Sequence, residues 1–265
     1  MTRRALLLFA LTAWPAGVAC TAEPPAHDAG SAPSEPSAAP LPPPSPSLPA
    51  GPLPAEPLPA QPSASIAPAA PSVRYLALGD SFTAGTGSRP ADAFPVRLAS
   101  RLRARGVAVS LENLGVNGYT TDDLIARELP RLAPFAPTLV TLAIGANDIV
   151  HGSTLERYRA QVRSILAAVL AAGVPPARVF VLPQPDWSLS PVAAEIGDPR
   201  SFAARIEAFN EALRAETARA GARWVDLFPG MRRQAQAGLI AGDGLHPAAR
   251  AYDEWAEDLL GQVAP

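Results

Sequence analysis

The sequence has no lysine, a single cysteine and few aromatic residues, which make up 6% of its 265 positions. A lone cysteine cannot form an intramolecular disulfide, so a disulfide-stapled domain is excluded. The 22 basic residues are all arginines, and 24 acidic residues bring the formal net charge to −2. No broad basic field is therefore available to attract nucleic acid, and we expect no nucleic-acid partner.

Three site signatures are also absent from the sequence. The glycine-rich run at 85–88 has no lysine after it, so it cannot be a nucleotide-phosphate loop. No cluster of cysteine, histidine and carboxylate residues has the spacing of metal ligands, so we expect neither a metal site nor a cofactor. No Gly-x-Ser-x-Gly segment occurs, which argues against the larger α/β-hydrolase fold.

The proline content divides the chain into two unlike parts. Of the 32 prolines, 17 fall within residues 24–71, a stretch that has no arginine and no aromatic residue. Such a stretch cannot bury enough apolar surface to offset the entropy lost on ordering. We therefore predict a disordered Pro/Ala/Ser-rich linker over residues 20–72, with polyproline II character, and one folded domain over residues 73–265.

The first nineteen residues have the layout of a secretory signal peptide. Arg3 and Arg4 provide positive charge, an apolar run follows at 5–14, and small residues precede Cys20. The apolar run is too short to span a bilayer, and no second long apolar segment follows it. The sequence predicts a signal peptide over residues 1–19 and a location outside the cytoplasm.

The only cysteine, Cys20, lies where the predicted signal peptide ends. The residues around it resemble a bacterial lipobox, in which this cysteine is acylated and becomes the mature N-terminus. Gly17 stands where that motif usually has leucine, so two alternatives stay open. Either Cys20 carries lipid and anchors the protein to a membrane, or ordinary cleavage after Ala19 or Ala22 leaves a secreted or periplasmic protein.

Apolar runs alternate with helical patterns throughout the predicted domain. We predict strands at 73–78, 107–111, 138–144, 178–182 and 223–227. We predict helices at 94–105, 121–132, 155–172, 202–220 and 248–260. Alternation of this kind is typical of an α/β fold whose parallel sheet lies between layers of helices.

Polar clusters come directly after the predicted strands. They are Gly79-Asp80-Ser81 after the first strand, 113–118 after the second, 145–148 after the third and Asp243-Gly244-Leu245-His246 after the fifth. Ligands of parallel α/β sheets bind beyond the carboxyl ends of the strands. We therefore expect these clusters to converge on one edge of the sheet.

The converging residue types suit acyl transfer. A serine hydroxyl is a weak nucleophile unless an imidazole accepts its proton. His246 is the preferred base for Ser81, because Asp243 lies three residues before it and can bond the far ring nitrogen. We expect these three residues to act together, with donors nearby for the oxyanion.

The four polar clusters, in this order, resemble the sequence blocks of the SGNH (GDSL-like) hydrolases. Phe82 stands in place of the leucine in the name motif. The resemblance implies a flavodoxin-like three-layer α/β/α sandwich with a five-stranded parallel sheet. It implies that Ser81, Asp243 and His246 are the catalytic triad, and that the Ser81 N–H, the Gly118 N–H and the Asn147 amide form the oxyanion hole.

Three further residues are candidates for substrate binding. Asp80 precedes the nucleophile, although bracing of the turn is the preferred alternative. His151 follows the third cluster and either meets substrate at the rim or is an ordinary exposed loop residue. Trp187 follows the fourth strand, where a wall of the acyl pocket and a packing role are equally good interpretations.

The expected function is hydrolysis of carboxylic esters by a Ser-His-Asp acyl-enzyme mechanism. The substrate is expected to be a small-molecule, lipid or glycan ester, with an acyl-ester or lipid esterase of lysophospholipase type as the first interpretation. A carbohydrate O-acetyl esterase is an alternative. A non-catalytic surface module that binds glycans is an alternative of another class.

Overall fold

The computed structural model describes residues 72–263. The predicted signal peptide, Cys20 and all but the last residue of the predicted linker lie outside the described residues. Ser72, the last residue of the predicted linker, is the first residue of the first strand.

Five parallel strands form the centre of the domain. They are β1 (Ser72–Gly79), β2 (Ala108–Asn113), β3 (Leu139–Ala143), β4 (Val179–Val181) and β5 (Arg223–Trp224). Their order across the sheet is β2-β1-β3-β4-β5, and every neighbouring pair is parallel. All of β3 and most of β1 is buried, as expected for strands that are covered on both faces.

Ten α-helices surround or connect the strands. They are α1 (Ser81–Ala84), α2 (Phe94–Ala104), α3 (Thr121–Asp123), α4 (Leu132–Phe135), α5 (Ala146–Val150), α6 (Leu155–Ala171), α7 (Pro191–Ile196), α8 (Pro199–Arg219), α9 (Phe228–Gln236) and α10 (Ala249–Val263). Short 3₁₀ turns occur at Pro90–Asp92, Leu129–Arg131, Pro176–Arg178 and Trp187–Leu189, and a π-helical turn occurs at Leu124–Glu128. None of the helices in the described part of the chain combines the length and the apolar character needed to cross a bilayer.

The long helices form the two outer layers of the fold. Helix α2 packs against α10, and α6 packs against α8, so each pair covers one face of the sheet. Their buried faces join the central strands in one continuous apolar core. The predicted α/β sandwich with five parallel strands is confirmed.

The prediction of one regular helix over 121–132 is wrong, because the chain forms several short helical turns there. The chain forms α3, then the π-helical turn Leu124–Glu128, then a 3₁₀ turn that contains Pro130, and finally α4. Proline has no N–H to continue an α-helical ladder, and a π turn accommodates an extra residue. The run of helical turns therefore replaces one straight helix.

The predicted fifth strand is also too long. Only Arg223–Trp224 has strand pairing, although the Val225 N–H still donates to the Val181 carbonyl at 3.0 Å. Helix α9 follows at Phe228, in a segment where no helix was predicted. Proline is well suited to the first turn of a helix, where its missing N–H would be unpaired in any case.

Candidate active site

Ser81 lies in a tight turn directly after β1. Gly79 ends that strand, and a Cβ at this position would lie 2.1 Å from the carbonyl oxygen of Ala143, so only glycine fits. Asp80 caps the short helix α1, because its Oδ1 accepts the Phe82 N–H at 3.0 Å. The turn presents Ser81 at the carboxyl edge of the sheet, with 8% of its surface exposed.

The loop before α10 brings an imidazole to Ser81. His246 Nε2 lies 2.9 Å from Ser81 Oγ, although the two residues are 165 positions apart. The Asp243 carboxylate accepts the Leu245 and His246 amide N–H groups on Oδ1, each at 3.0 Å, and contacts His246 Nδ1 through Oδ2 at 2.8 Å. Because an ionised carboxylate only accepts hydrogen bonds, Nδ1 carries the proton and Nε2 is free to accept one from Ser81.

The environment of Asp243 favours its ionised form. Desolvation acts to raise the pKa of this carboxyl group, but hydrogen bonds from the Leu245 and His246 amides and from the His246 ring outweigh it. The net result is a pKa below the ordinary value for aspartate. Asp243 is therefore negatively charged at neutral pH and can stabilise a positive charge on His246.

The segments after β2 and β3 meet beside this turn. Asn147 Nδ2 donates a hydrogen bond to the Tyr119 carbonyl oxygen at 2.9 Å, so the segment after β3 is tied to the turn at Gly118. The Thr86 hydroxyl bonds to the Asn117 side chain, which ties that same turn to the loop after Ser81. Gly118 has a φ of 81°, and no heavy atom lies within 4 Å of the position that a Cβ would occupy.

Two amide groups at this edge carry no main-chain partner. No backbone carbonyl oxygen in residues 72–263 accepts the N–H of Ser81 or the N–H of Gly118. Asn147 Nδ2 carries two hydrogens, of which Tyr119 uses one. The three groups predicted for the oxyanion hole therefore each retain a hydrogen that is available to a ligand.

Buried carboxyl groups lie behind the Ser81 turn. Burial raises the pKa of Asp80 to about 7, the Phe82 N–H opposes that rise, and the charge of Asp148 adds to it. Asp148 is buried as well and accepts the Thr121 N–H at 3.0 Å, and desolvation raises its pKa. In the described part of the chain, no group of three or more histidine, cysteine and carboxylate side chains is placed to hold a metal ion.

The structure places the three substrate-binding candidates differently. Asp80 is 1% exposed and holds the turn through Phe82, a contact that fits the bracing alternative rather than contact with substrate. His151 is exposed at the end of α5, on the same segment as Asn147. Trp187 is buried, with its ring centroid 4.7 Å from that of Phe202, and it lines a small pocket together with Phe82.

Glu128 is a site residue that was missed from the sequence. Its carboxyl group is buried and accepts the Gly79 N–H at 2.9 Å, one residue before the turn that carries Ser81. The sequence contained an indication that this acid is buried. Glu128 lies four residues after Leu124 and three after Ile125, on the apolar face of the helical pattern. An acid on such a face is either paired or functional.

Comparisons with known proteins identify the family of this chain. Residues 77–254 match the GDSL-like Lipase/Acylhydrolase family, which is more than half of the chain. Esterase TesA of Pseudomonas aeruginosa is 27% identical over 191 residues, which cover 72% of this chain and 87% of that protein.

Several solved structures have a fold similar to that of this chain. A crystal structure of TesA has a TM-score of 0.60 at 26% identity and covers 72% of this chain and 98% of its own. Axe2, an acetylxylan esterase from Geobacillus stearothermophilus, has a TM-score of 0.59 at 18% identity, covering 73% and 94%. The psychrotrophic esterase EstA from Pseudoalteromonas sp. has a TM-score of 0.58 at 19% identity, covering 72% and 96%. The chain therefore belongs to the GDSL-like lipase/acylhydrolase family and is a carboxylic ester hydrolase.

Proposed function

We propose that Ser81 is the nucleophile of this esterase, that His246 is its general base and that Asp243 orients the imidazole. The observation that carries the proposal is the unbroken series of contacts from Ser81 Oγ to His246 Nε2 at 2.9 Å and from His246 Nδ1 to Asp243 Oδ2 at 2.8 Å. The first distance is within the range for proton transfer from a nucleophile to its base, and the second is a hydrogen bond that orients the imidazole.

The reaction proceeds through an acyl-enzyme. Ser81 Oγ forms a bond to the ester carbonyl carbon while its proton passes to His246 Nε2, and the carbonyl oxygen becomes an oxyanion. Collapse of this tetrahedral species breaks the bond to the alcohol oxygen, which takes the proton from His246 and leaves. A water molecule then repeats the sequence on the acyl group, so that the acid is released and Ser81 regains its proton.

The oxyanion is stabilised by three donors. These are the Ser81 N–H, the Gly118 N–H and the second hydrogen of Asn147 Nδ2. Support comes from the lack of a main-chain acceptor for both amides and from the Tyr119 carbonyl, which fixes the orientation of the Asn147 side chain. Donors held in place before the reaction are worth more than donors that must reorient during it.

We propose an ester with a sizeable apolar acyl group, such as a lipid or lysophospholipid, as the substrate. The described residues include four exposed large apolar side chains. Val116 and Val150 lie shortly after the carboxyl ends of β2 and β3, and Leu189 and Ile196 lie on the segment between β4 and α8. Exposed apolar surface near the carboxyl edge of the sheet suits a hydrocarbon chain better than a sugar. Similarity to the esterase TesA at 27% identity supports ester hydrolysis, whereas the 18% likeness to Axe2 concerns the fold.

Two residues near this edge are proposed as substrate contacts. His151 is exposed on the segment that carries Asn147, where the alcohol part of an ester would leave. Trp187 lines the pocket beside Phe82, whose ring centroid lies 5.4 Å from that of His246. We propose that Trp187 forms part of the apolar wall of the acyl site.

An acyl-chain series tests the substrate proposal. We expect kcat/KM on p-nitrophenyl esters to rise from acetate to medium-length or longer acyl groups, and we expect Ser81→Ala to abolish hydrolysis of all of them. Acetylated xylo-oligosaccharides provide the comparison. Activity confined to acetyl groups, with acetylated sugars preferred over longer acyl esters, would establish the O-acetyl esterase alternative.

We propose further that the enzyme works outside the cytoplasm, held to a membrane by lipid on Cys20. The signal-peptide layout, the position of the only cysteine and the long proline-rich linker support this, since such a linker would hold the domain away from the membrane surface. Mass spectrometry of the mature N-terminus decides between lipidated Cys20 and a free N-terminus produced by ordinary cleavage.

A further inference from the structure

The N–H of Gly79 lies beyond the end of the β1–β2 pairing. The last paired residues are Ala77 and Asn113. Past this point the chain after β2 supplies donors, because the Leu114 N–H bonds to the Ala77 carbonyl at 2.9 Å and the Val116 N–H bonds to the Gly79 carbonyl at 3.3 Å. It supplies no carbonyl for the Gly79 N–H. The Glu128 carboxyl group accepts this N–H through Oε2 at 2.9 Å, in the position that a strand carbonyl would otherwise take.

Glu128 reaches Gly79 from an irregular turn. The Leu129 N–H donates to the Leu124 carbonyl, five residues back, which is the bond that defines a π-helical turn. Such turns are rare, contain one more residue than an α-helical turn and occur often at functional sites. Glu128 is the last residue of the turn, and its side chain is 2% exposed.

The surroundings of Glu128 contain no compensating cation. Glu128 Oε1 and Asp80 Oδ2 are both buried and have no hydrogen-bond partner among residues 72–263. The charges that act on Glu128 are those of Asp80 and Asp123, and those that face Asp80 include Asp148. Burial raises the pKa of Glu128 to about 9, the Gly79 N–H opposes this, and the charge of Asp80 adds to it. Burial without a cation therefore favours the protonated form of Glu128.

We propose that Glu128 is a positioning residue for the esterase site, whose buried carboxyl group fixes the end of β1 and so the turn that carries Ser81. This inference rests on the proposed role of Ser81. Ser81 is two residues from Gly79, so a shift at the strand end moves the nucleophile relative to His246. A misplacement of about 1 Å in an active site can lower the rate about a hundredfold.

Three substitutions separate positioning from simple packing. Glu128→Gln keeps a neutral group with an acceptor oxygen, so we expect kcat within about threefold of wild type. Glu128→Ala removes the acceptor, and we expect kcat to fall by about ten- to a hundredfold with KM changed by less than about threefold. Glu128→Met fills the space without offering the acceptor, and we expect the same loss as for alanine. The methionine variant keeps the test available if the alanine variant does not fold.

A readout other than turnover accompanies the kinetics. Hydrogen exchange at the Gly79 amide in the full chain should be slow in wild type and in Glu128→Gln, and at least about tenfold faster in the variants without an acceptor. Glu216→Gln is the matched control, because it alters a buried carboxylate between α6 and α8. It should keep kcat within about twofold of wild type, and its Gly79 exchange should change by no more than its measured loss in free energy of unfolding accounts for, whereas Glu128→Ala and Glu128→Met should exceed that allowance.

The possible results lead to distinct conclusions. Wild-type kcat and wild-type Gly79 exchange in Glu128→Ala or Glu128→Met overturn the positioning role, as does a Glu128→Gln variant as impaired as Glu128→Met. Equal hydrolysis by wild type and Ser81→Ala overturns the proposed nucleophile instead. In that case the Gly79 exchange rates still decide whether Glu128 holds the strand end.

Discussion

Two regions of this domain bury carboxyl groups in opposite ways. Behind the Ser81 turn, Asp80 and Glu128 are buried with main-chain N–H groups as their partners, and burial raises the pKa of both, to about 7 and about 9. Between α6 and α8, Glu216 is equally buried but lies within 3.4 Å of three arginines. Its pKa is lowered, chiefly by the hydrogen bond from Arg163 and also by the charges of the arginines, although desolvation opposes this.

The different partners of these buried acids match the different roles of the two regions. Glu216 joins two helices, and its three arginines are 42–65% exposed, so water shares the solvation of the cluster. An arginine beside Ser81 would repel the positive charge that His246 acquires during attack, whereas an amide N–H fixes a carboxyl group without adding a full charge. We infer that buried acids bound to main-chain amides shape the site and that ion pairs stabilise its scaffold.

Asp243→Asn should produce the largest effect, and it should be confined to catalysis. The asparagine keeps an oxygen for the Leu245 and His246 amides but no longer selects the correct imidazole tautomer. We expect kcat to fall about 10⁴-fold, while the free energy of unfolding changes by less than about 1 kcal/mol. Ester kinetics and denaturant titration measure the two quantities. A kcat within tenfold of wild type would remove Asp243 from the mechanism.

Asn147→Ala should produce the next largest effect. Loss of one oxyanion donor typically costs about 3–4 kcal/mol of transition-state stabilisation, which is two to three decades in kcat. The change also removes the bond to the Tyr119 carbonyl, so unfolding should be measured beside turnover. A folded Asn147→Ala variant that hydrolyses esters at the wild-type rate excludes Asn147 from the oxyanion hole.

Glu216→Gln should show the reverse pattern. Removal of the charge leaves three arginines around a buried amide, and we expect the free energy of unfolding to decrease by about 1–3 kcal/mol. We expect kcat to stay within about twofold of wild type at a temperature where the variant is folded. A large loss of turnover without loss of stability would show that the two regions are coupled.

The remaining difference between the two regions concerns how the free energy of unfolding depends on pH. The lowered pKa of Glu216 means that its contribution is present above the ordinary value of 4.5 and is lost as pH falls through the folded-state pKa. Glu128 has a raised pKa, so the folded state holds a proton that the unfolded state has released between about pH 4.5 and 9. Its contribution to stability therefore decreases as pH rises through that window, with a slope of at most about 1.4 kcal/mol per pH unit.

Denaturant titrations of wild type and Glu128→Gln at several pH values measure this slope. The stability of Glu128→Gln relative to wild type should increase as pH rises from about 5 to 9, because glutamine does not ionise. Equal pH dependence in the two proteins would show that Glu128 is ionised in the folded state.

The arrangement of the sheet was accessible from the sequence because it follows from alternation. Apolar runs such as 138–144 are typical of strands covered on both faces, and parallel strands place their carboxyl ends on one edge. That rule is enough to expect Ser81 and His246 near each other, and the structure places them 2.9 Å apart.

The features that escaped prediction depend on local irregularity. The first turn of helix α9 contains Pro229-Gly230, a pair that favours a non-helical turn unless the following residues pack against a surface. Met231 packs into the core and supplies that contact. The π turn before Leu129 cannot be seen in a pattern that assumes 3.6 residues per turn. Glu128 could be noticed as an acid on an apolar helix face. Its partner, however, is a main-chain N–H, and the spacing of side chains in a sequence does not identify main-chain partners.

Covalent labelling tests the central claim most directly. A fluorophosphonate probe reacts with a serine whose hydroxyl is activated by a base, and peptide mapping by mass spectrometry locates the adduct. Wild type should carry a single adduct on Ser81, Ser81→Ala should carry none, and His246→Ala should react far more slowly. A folded wild-type protein that stays unlabelled, or that is labelled at another serine, would contradict the proposed mechanism, and the unlabelled result would favour a non-catalytic surface module.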